Sequence, residues 1–117
     1  MITLSVRQPW AHCIIYAGKD IENRGFRTRH RGRLAIHASR TFDDAGYAEL
    51  LARGVPLPAP DEMPRGVVIG TVTLDDVVTD SDSEWFEGPV GLVLSEPEPI
   101  EPVPCRGMPG FFHVDLI

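Results

Sequence analysis

The run from Val67 to Val78 carries the strongest strand signal in the chain: Val67, Val68, Ile69, Thr71, Val72, Thr73, Val77 and Val78 are all branched at Cβ. Such side chains are stiff about χ1 and pack well on a pleated surface, so the run reads as one long strand. Gly70 inside it marks a bulge or a point of close backbone approach. Shorter runs supply partners for it. Ile2, Leu4 and Val6 alternate with Thr3, Ser5 and Arg7, giving a first strand with one face inward. Asp20 to Arg24 is a short strand with Ile21 on one face and Glu22 and Arg24 on the other. Leu34, Ile36 and Ala38 alternate with Arg33, Ala35 and His37. Val90 to Leu94 is a short buried strand, and Gly110 to Leu116 a last one.

Helical signals are fewer. Pro9 suits the first turn of a helix, because it lacks a donor the helix does not need there. Trp10, Cys13, Ile14 and Ala17 then form an amphipathic stripe that Gly18 ends. A second helix is expected from Phe42 to Leu51, after Thr41 and before Gly54. Asp80 to Glu87 is polar, with a helical turn presenting Trp85 and Phe86. Residues 55–66, with Pro56, Pro58, Pro60 and Pro64, read as a surface loop, and the acidic, proline-rich Glu96 to Pro104 as a rigid connection. The expected fold is α+β and mostly β: a small β-barrel of five to six strands, a first helix and one or two further short helices. A chain of 117 residues is the size of a single domain, expected to span 1–117.

Charge is unevenly spread. The net charge of −6 hides a basic island over residues 19–40, where seven basic residues oppose Asp20 and Glu22 for a net +5. The remainder from residue 41 onward carries −12, which predicts a local anion site in place of a body-wide nucleic-acid coat. Lys19 is the single lysine among ten arginines. Lysine is a compact charge whose pKa moves readily on burial, so its place in Gly18-Lys19-Asp20-Ile21-Glu22-Asn23-Arg24 singles it out as a site residue. No apolar run is long enough to cross a bilayer, and the N-terminus lacks the order of a signal peptide. Two cysteines are too few for a disulfide scaffold, and a cytoplasmic location is expected. His12, His30, His37 and His113 have no metal-ligand spacing, so neither metal nor cofactor is expected.

Several motifs in combination resemble the ASCH domain family (activating signal cointegrator 1 homology). They are Ser5-x-Arg7-Gln8-Pro9-Trp10-Ala11, Gly18-Lys19-x-x-Glu22-x-Arg24, Thr28-x-His30-Arg31-Gly32-x-Leu34-x-Ile36-His37-Ala38 and Pro104-Cys105-Arg106-Gly107, with Gly70 in the long strand. The resemblance covers nearly the whole chain. It implies a PUA-like barrel with a cleft between the first helix and the sheet, lined by the Gly-Lys-x-x-Glu-x-Arg segment. It also implies RNA binding or transcription coactivation or, in one small branch, hydrolysis of N4-acylated cytidine nucleosides. Members of that branch carry a threonine nucleophile where this chain has Glu22.

The expected function is that of a nucleic-acid-binding module for RNA or a single-stranded segment, holding one nucleotide in the cleft. Lys19 and Arg24 would hold a phosphate or base carbonyl, and Glu22 would accept from an amino group such as cytosine N4. Trp10 would stack on a base or belong to the core, and Gln8 would read a base edge or cap the helix. Arg27, Arg29, Arg31 and Arg33 lie two apart, which in an extended segment makes a phosphate-tracking row; Arg7 adds further phosphate-contacting charge, and His37 adds a donor or a structural hydrogen bond. Arg31 could instead fix the turn at Gly32, and Arg106, in a turn that the resemblance marks as recurrent, is read as structural, with reach into the cleft as the alternative. The alternative is a small hydrolase acting on a modified nucleoside or on RNA, with Lys19 and Glu22 as catalytic acid and base. Lys19, Glu22 and Arg24 could equally form a structural ion-pair cluster.

Overall fold

The computed structural model describes residues 1–116. Its six-stranded sheet contains β1 (Ile2–Gln8), β2 (Ile21–Arg24), β3 (Gly32–Phe42), β4 (Val67–Val78), β5 (Val90–Pro104) and β6 (Phe111–His113), in the order β2-β5-β4-β3-β1-β6. β1 and β3 run parallel; the other neighbours are antiparallel. Helix α1 (Trp10–Tyr16) follows β1, and α2 (Asp44–Ala52) follows β3.

The two ends of the sheet meet through side chains. Arg24 on β2 donates from Nη2 to the Ser5 carbonyl on β1 at 2.8 Å. Phe26, just past β2, meets Phe111 of β6 edge to face with centroids 5.9 Å apart. The sheet therefore curls into the expected barrel, with a seam closed by side chains. Leu4, Val6, Leu34, Ile36, Val72, Leu74, Leu92 and Leu94 fill it, and α1 adds Ala11, Ile14 and Ile15. Among the described residues, no helix is long and apolar enough to cross a membrane.

Local differences from the sequence reading have physical causes. The proline-rich stretch after Leu94 is no loose connection: β5 continues to Pro104, pairing Glu98 with Thr71 and Val103 with Val68. β2 covers only Val90 to Val93, so the far edge of β5 is free beyond that point and its prolines forfeit few ladder bonds. Glu96, at φ 51°, sits within this irregular half of the strand. Phe42 ends β3, and Asp43 is the true N-cap of α2, its carboxylate accepting from the Gly46 amide. Both helices are short, and α1 buries Ala11, Cys13, Ile14 and Ile15 while Trp10 is partly buried against the core.

Gly70 is where α1 meets the long strand. A Cβ there would come within 2.7 Å of both the Glu98 carbonyl oxygen and Ile15 Cδ1, and β4 shifts register against β5 between Val68 and Gly70. Gly70→Ala is accordingly expected to cost about 1–3 kcal/mol through overpacking against backbone that cannot yield. Chemical denaturation measures this; an unchanged midpoint would show that the sheet and helix part easily.

Candidate functional site

A cleft of about 490 Å³ opens beside the seam, between the first turn of α1, β2, the N-cap of α2 and the loop joining β4 to β5. Its floor is Lys19. Gly18, at φ 75°, turns the chain out of α1, and the Lys19 amide closes back onto the Cys13 carbonyl at 3.0 Å. The lysine side chain is 4% exposed, and Nζ donates to the Ile21 carbonyl at 2.6 Å. It stands 5.4 Å from the Trp10 ring centroid and 5.5 Å from that of Trp85, so two indoles flank one ammonium.

Glu22 and Arg24 project from the same face of β2. The Glu22 carboxylate lies 3.7 Å from Lys19 Nζ through Oε1 and accepts from Arg24 Nε through Oε2 at 2.9 Å. Ile21, one residue before Glu22 and so on the opposite face, points into the core. Burial pushes the Lys19 ammonium below the ordinary lysine value, while Glu22, Cys13 and Glu87 pull it back up. Cys13, beneath it, is pushed up to about 11 by burial and is inert as a nucleophile. The ammonium, carboxylate and guanidinium converge as expected, but they satisfy one another. Arg7, Lys19, Arg24 and Arg53 at the cleft are matched by Glu22, Asp43, Glu84 and Glu87. A balanced wall gives little net pull on an anion and suits a neutral, polar, flat group.

Both aromatic walls are braced. Asn23 donates to the Trp85 carbonyl at 2.9 Å and accepts from the Glu87 and Gly88 amides at 2.8 and 3.0 Å, pinning the loop that carries Trp85. Trp10 donates from Nε1 to Asp43 Oδ2 at 2.9 Å. That indole hydrogen bond, then the Gly46 amide and the Arg7 charge, hold the Asp43 carboxyl below its usual range despite some opposing desolvation. The folded value is depressed. Its stabilising contribution is therefore complete above the unfolded carboxylate value, about pH 4, and disappears as pH falls through the lowered folded value. Below about pH 4 the denaturation midpoint should fall, and Asp43→Asn should flatten that acid limb. An equal slope in both proteins would count against this linkage.

The other candidate residues lie elsewhere. Arg7 reaches the cleft rim, 3.9 Å from Asp43. Gln8 is fully buried; it accepts from the His12 amide at 2.9 Å and donates to the Pro64 carbonyl at 3.0 Å, so the helix-capping alternative is the one realised. Arg27 and Arg29 are exposed on the loop that leaves the cleft at Gly25. Arg31 bonds the Thr28 and His30 carbonyls and Arg33 bonds Thr71 and Thr73, so these two are committed to their own chain. His37 is 1% exposed and lines a separate cavity. Trp85, Asn23 and Asp43 were missing from the sequence-derived site. The one available signal was a second tryptophan stranded in a polar loop.

A family model described as the ASCH domain matches residues 4–106. The chain is 28% identical over 127 residues to activating signal cointegrator 1 of Homo sapiens, and 28% identical over 131 residues to that of Mus musculus. Each alignment covers 96% of this chain but 22% of the relative, so the chain spans about a fifth of the length of these curated proteins. In fold it is similar to the crystal structure of ASCH from Zymomonas mobilis, with a TM-score of 0.62 at 16% identity over 98% of this chain and 87% of that one. A mutant of the same Zymomonas mobilis protein matches with a TM-score of 0.60 at 16% identity, covering 98% and 90% of the two chains.

Proposed function

We propose that this chain, which belongs to the ASCH domain family, is a nucleic-acid-binding module that holds one unpaired nucleotide of an RNA or single-stranded segment in the Lys19 cleft. The observation that carries this reading is the pair of indoles flanking a buried lysine at 5.4 and 5.5 Å, above a carboxylate and a guanidinium. A base would lie against Trp85, whose face is the less committed of the two. Lys19 would donate to a base carbonyl, and Glu22 Oε1 would accept from an exocyclic amine. Duplex bases are stacked and out of reach, so a cleft of this shape selects splayed ones. Arg27 and Arg29 would follow the backbone as it leaves past Gly25.

The alternative, a hydrolase using Lys19 and Glu22 as acid and base, draws on their 3.7 Å separation and the lowered lysine. Binding is preferred because Nζ already donates to the Ile21 carbonyl and Oε2 already holds Arg24.

The chain has two tryptophans, Trp10 and Trp85, and both line the cleft, so intrinsic fluorescence reports directly on its occupancy. Single-stranded oligonucleotides should quench it at lower concentration than duplexes of the same sequence. Replacing Arg27 and Arg29 with alanine should weaken binding and reduce the slope of log K against log salt by up to about 1.4, two phosphates at roughly 0.7 each. Equal binding of single strand and duplex would overturn the reading, and turnover of N4-acylated cytidine lost in Lys19→Ala would favour the alternative.

A further inference from the structure

A second cavity, of about 850 Å³, opens on the other side of Ser5 and Ser39, which line both hollows. We propose that it is a phosphate site, taking the phosphodiester next to the base held in the Lys19 cleft. That pairing rests on the nucleotide reading above; the phosphate chemistry does not.

The charge is the first observation. In a chain of net charge −6, this cavity is lined by no carboxylate and by two arginines, Arg40 and Arg106. Among the described residues, neither makes an ion pair or a side-chain hydrogen bond, whereas Arg24, Arg31, Arg33 and Arg53 all do. Both are exposed and free to present a fork to an oxyanion.

The second observation is that the walls are held in place. Gly66 donates its amide to the Ala38 carbonyl at 2.7 Å and accepts from the Cys105 amide at 3.2 Å, joining β3 to the residue just past the end of β5. The Arg40 guanidinium lies over Gly66: a Cβ there would come within 3.1 Å of Cζ. On the other wall His37 is buried, with Nε2 2.9 Å from the Cys105 carbonyl and Nδ1 2.9 Å from Ser5 Oγ. A carbonyl only accepts, so this network assigns the proton to Nε2, and the Ser5 hydroxyl donates to Nδ1. Gly107 packs onto this pair, for a Cβ would stand 2.9 Å from His37 Cε1. Arg106 is thus fixed to the sheet by its neighbours on either side. Ser39 accepts from the Thr41 amide through Oγ at 3.0 Å, which leaves its hydroxyl proton for a ligand.

The two cavities divide the chemistry of a nucleotide. The charge-balanced, indole-walled cleft suits a base, and the carboxylate-free cavity suits a phosphate; they abut at Ser5 and Ser39, where a sugar would lie.

The test uses the double variant Arg40→Gln/Arg106→Gln, whose exposed side chains put folding at little risk. Inorganic phosphate, titrated against chloride at matched ionic strength, should give saturable NMR shifts at the Arg40, Gly66, Arg106 and Gly107 amides of the wild type. Those shifts should be absent from the variant. In a parallel fluorescence titration, a nucleoside monophosphate (5′ and 3′ forms both tested) should bind about tenfold more tightly than the nucleoside. The variant should lose that gain and keep nucleoside binding. Phosphate shifts without nucleoside binding would sink the cleft reading and leave this site standing. Nucleoside binding with no phosphate shifts, or with shifts that persist in the variant, would overturn the phosphate site alone.

Discussion

Glu22→Ala is expected to cost about 3 kcal/mol of folding stability, the lower end of the range for breaking a buried ion pair. The side chains of Lys19 and Glu22 are 4% and 10% exposed, so removing the carboxylate strands an ammonium that solvent reaches poorly. It also frees Arg24, whose Nη2 atom otherwise bonds both Glu22 Oε2 and the Ser5 carbonyl at 2.8 Å across the barrel seam. Lys19→Met should cost less, because Glu22 keeps Arg24 as partner. The double variant should cost less than the sum of the singles, since the stranded charge is gone. Urea denaturation of the four proteins in this cycle gives the coupling directly. Additive costs, or a Glu22→Ala loss below about 1 kcal/mol, would place the cluster with ordinary surface pairs.

Trp85→Ala should lower affinity for a single-stranded oligonucleotide by about 5- to 150-fold, the worth of one base–aromatic stack at 1–3 kcal/mol. The fold should survive, because Asn23 grips the loop through the Trp85 carbonyl and the Glu87 and Gly88 amides, none of which the substitution removes. Trp85→Phe should recover most of the loss, since it restores a π-face at the same place. Trp10→Ala is a poorer probe: its indole nitrogen holds Asp43, and its ring packs against Gly46. Anisotropy of a labelled oligonucleotide is the suitable readout, as the variant removes an intrinsic fluorophore. Wild-type affinity in Trp85→Ala would leave the indole pair without a binding role.

Much of the barrel was legible along the chain. β4 begins at Val67 and ends at Val78, where the β-branched run does, and Gly70 is the point of close approach it signalled. The alternation on β2 correctly set Ile21 apart from Glu22 and Arg24. β5 was misread past Leu94 because proline's cost depends on whether a neighbour needs its missing donor, and that neighbour lies in a distant segment. The arginine series 27–33 was legible as charge but not as availability, since Arg33 is consumed by Thr71 and Thr73 across the sheet.

Strand periodicity and the helix stop at Gly18 are short-range matters of backbone sterics and of which side chain faces water, so neighbours in the sequence suffice to specify them. The cleft is different. Trp85 reaches Lys19 through a loop tied to Asn23 across 62 positions, and His37 fixes Cys105 across 68. Hydrogen bonds and desolvation act over a few ångströms whatever the chain separation, so which charges are spent on one another and which stay free for a ligand emerges once the barrel has curled.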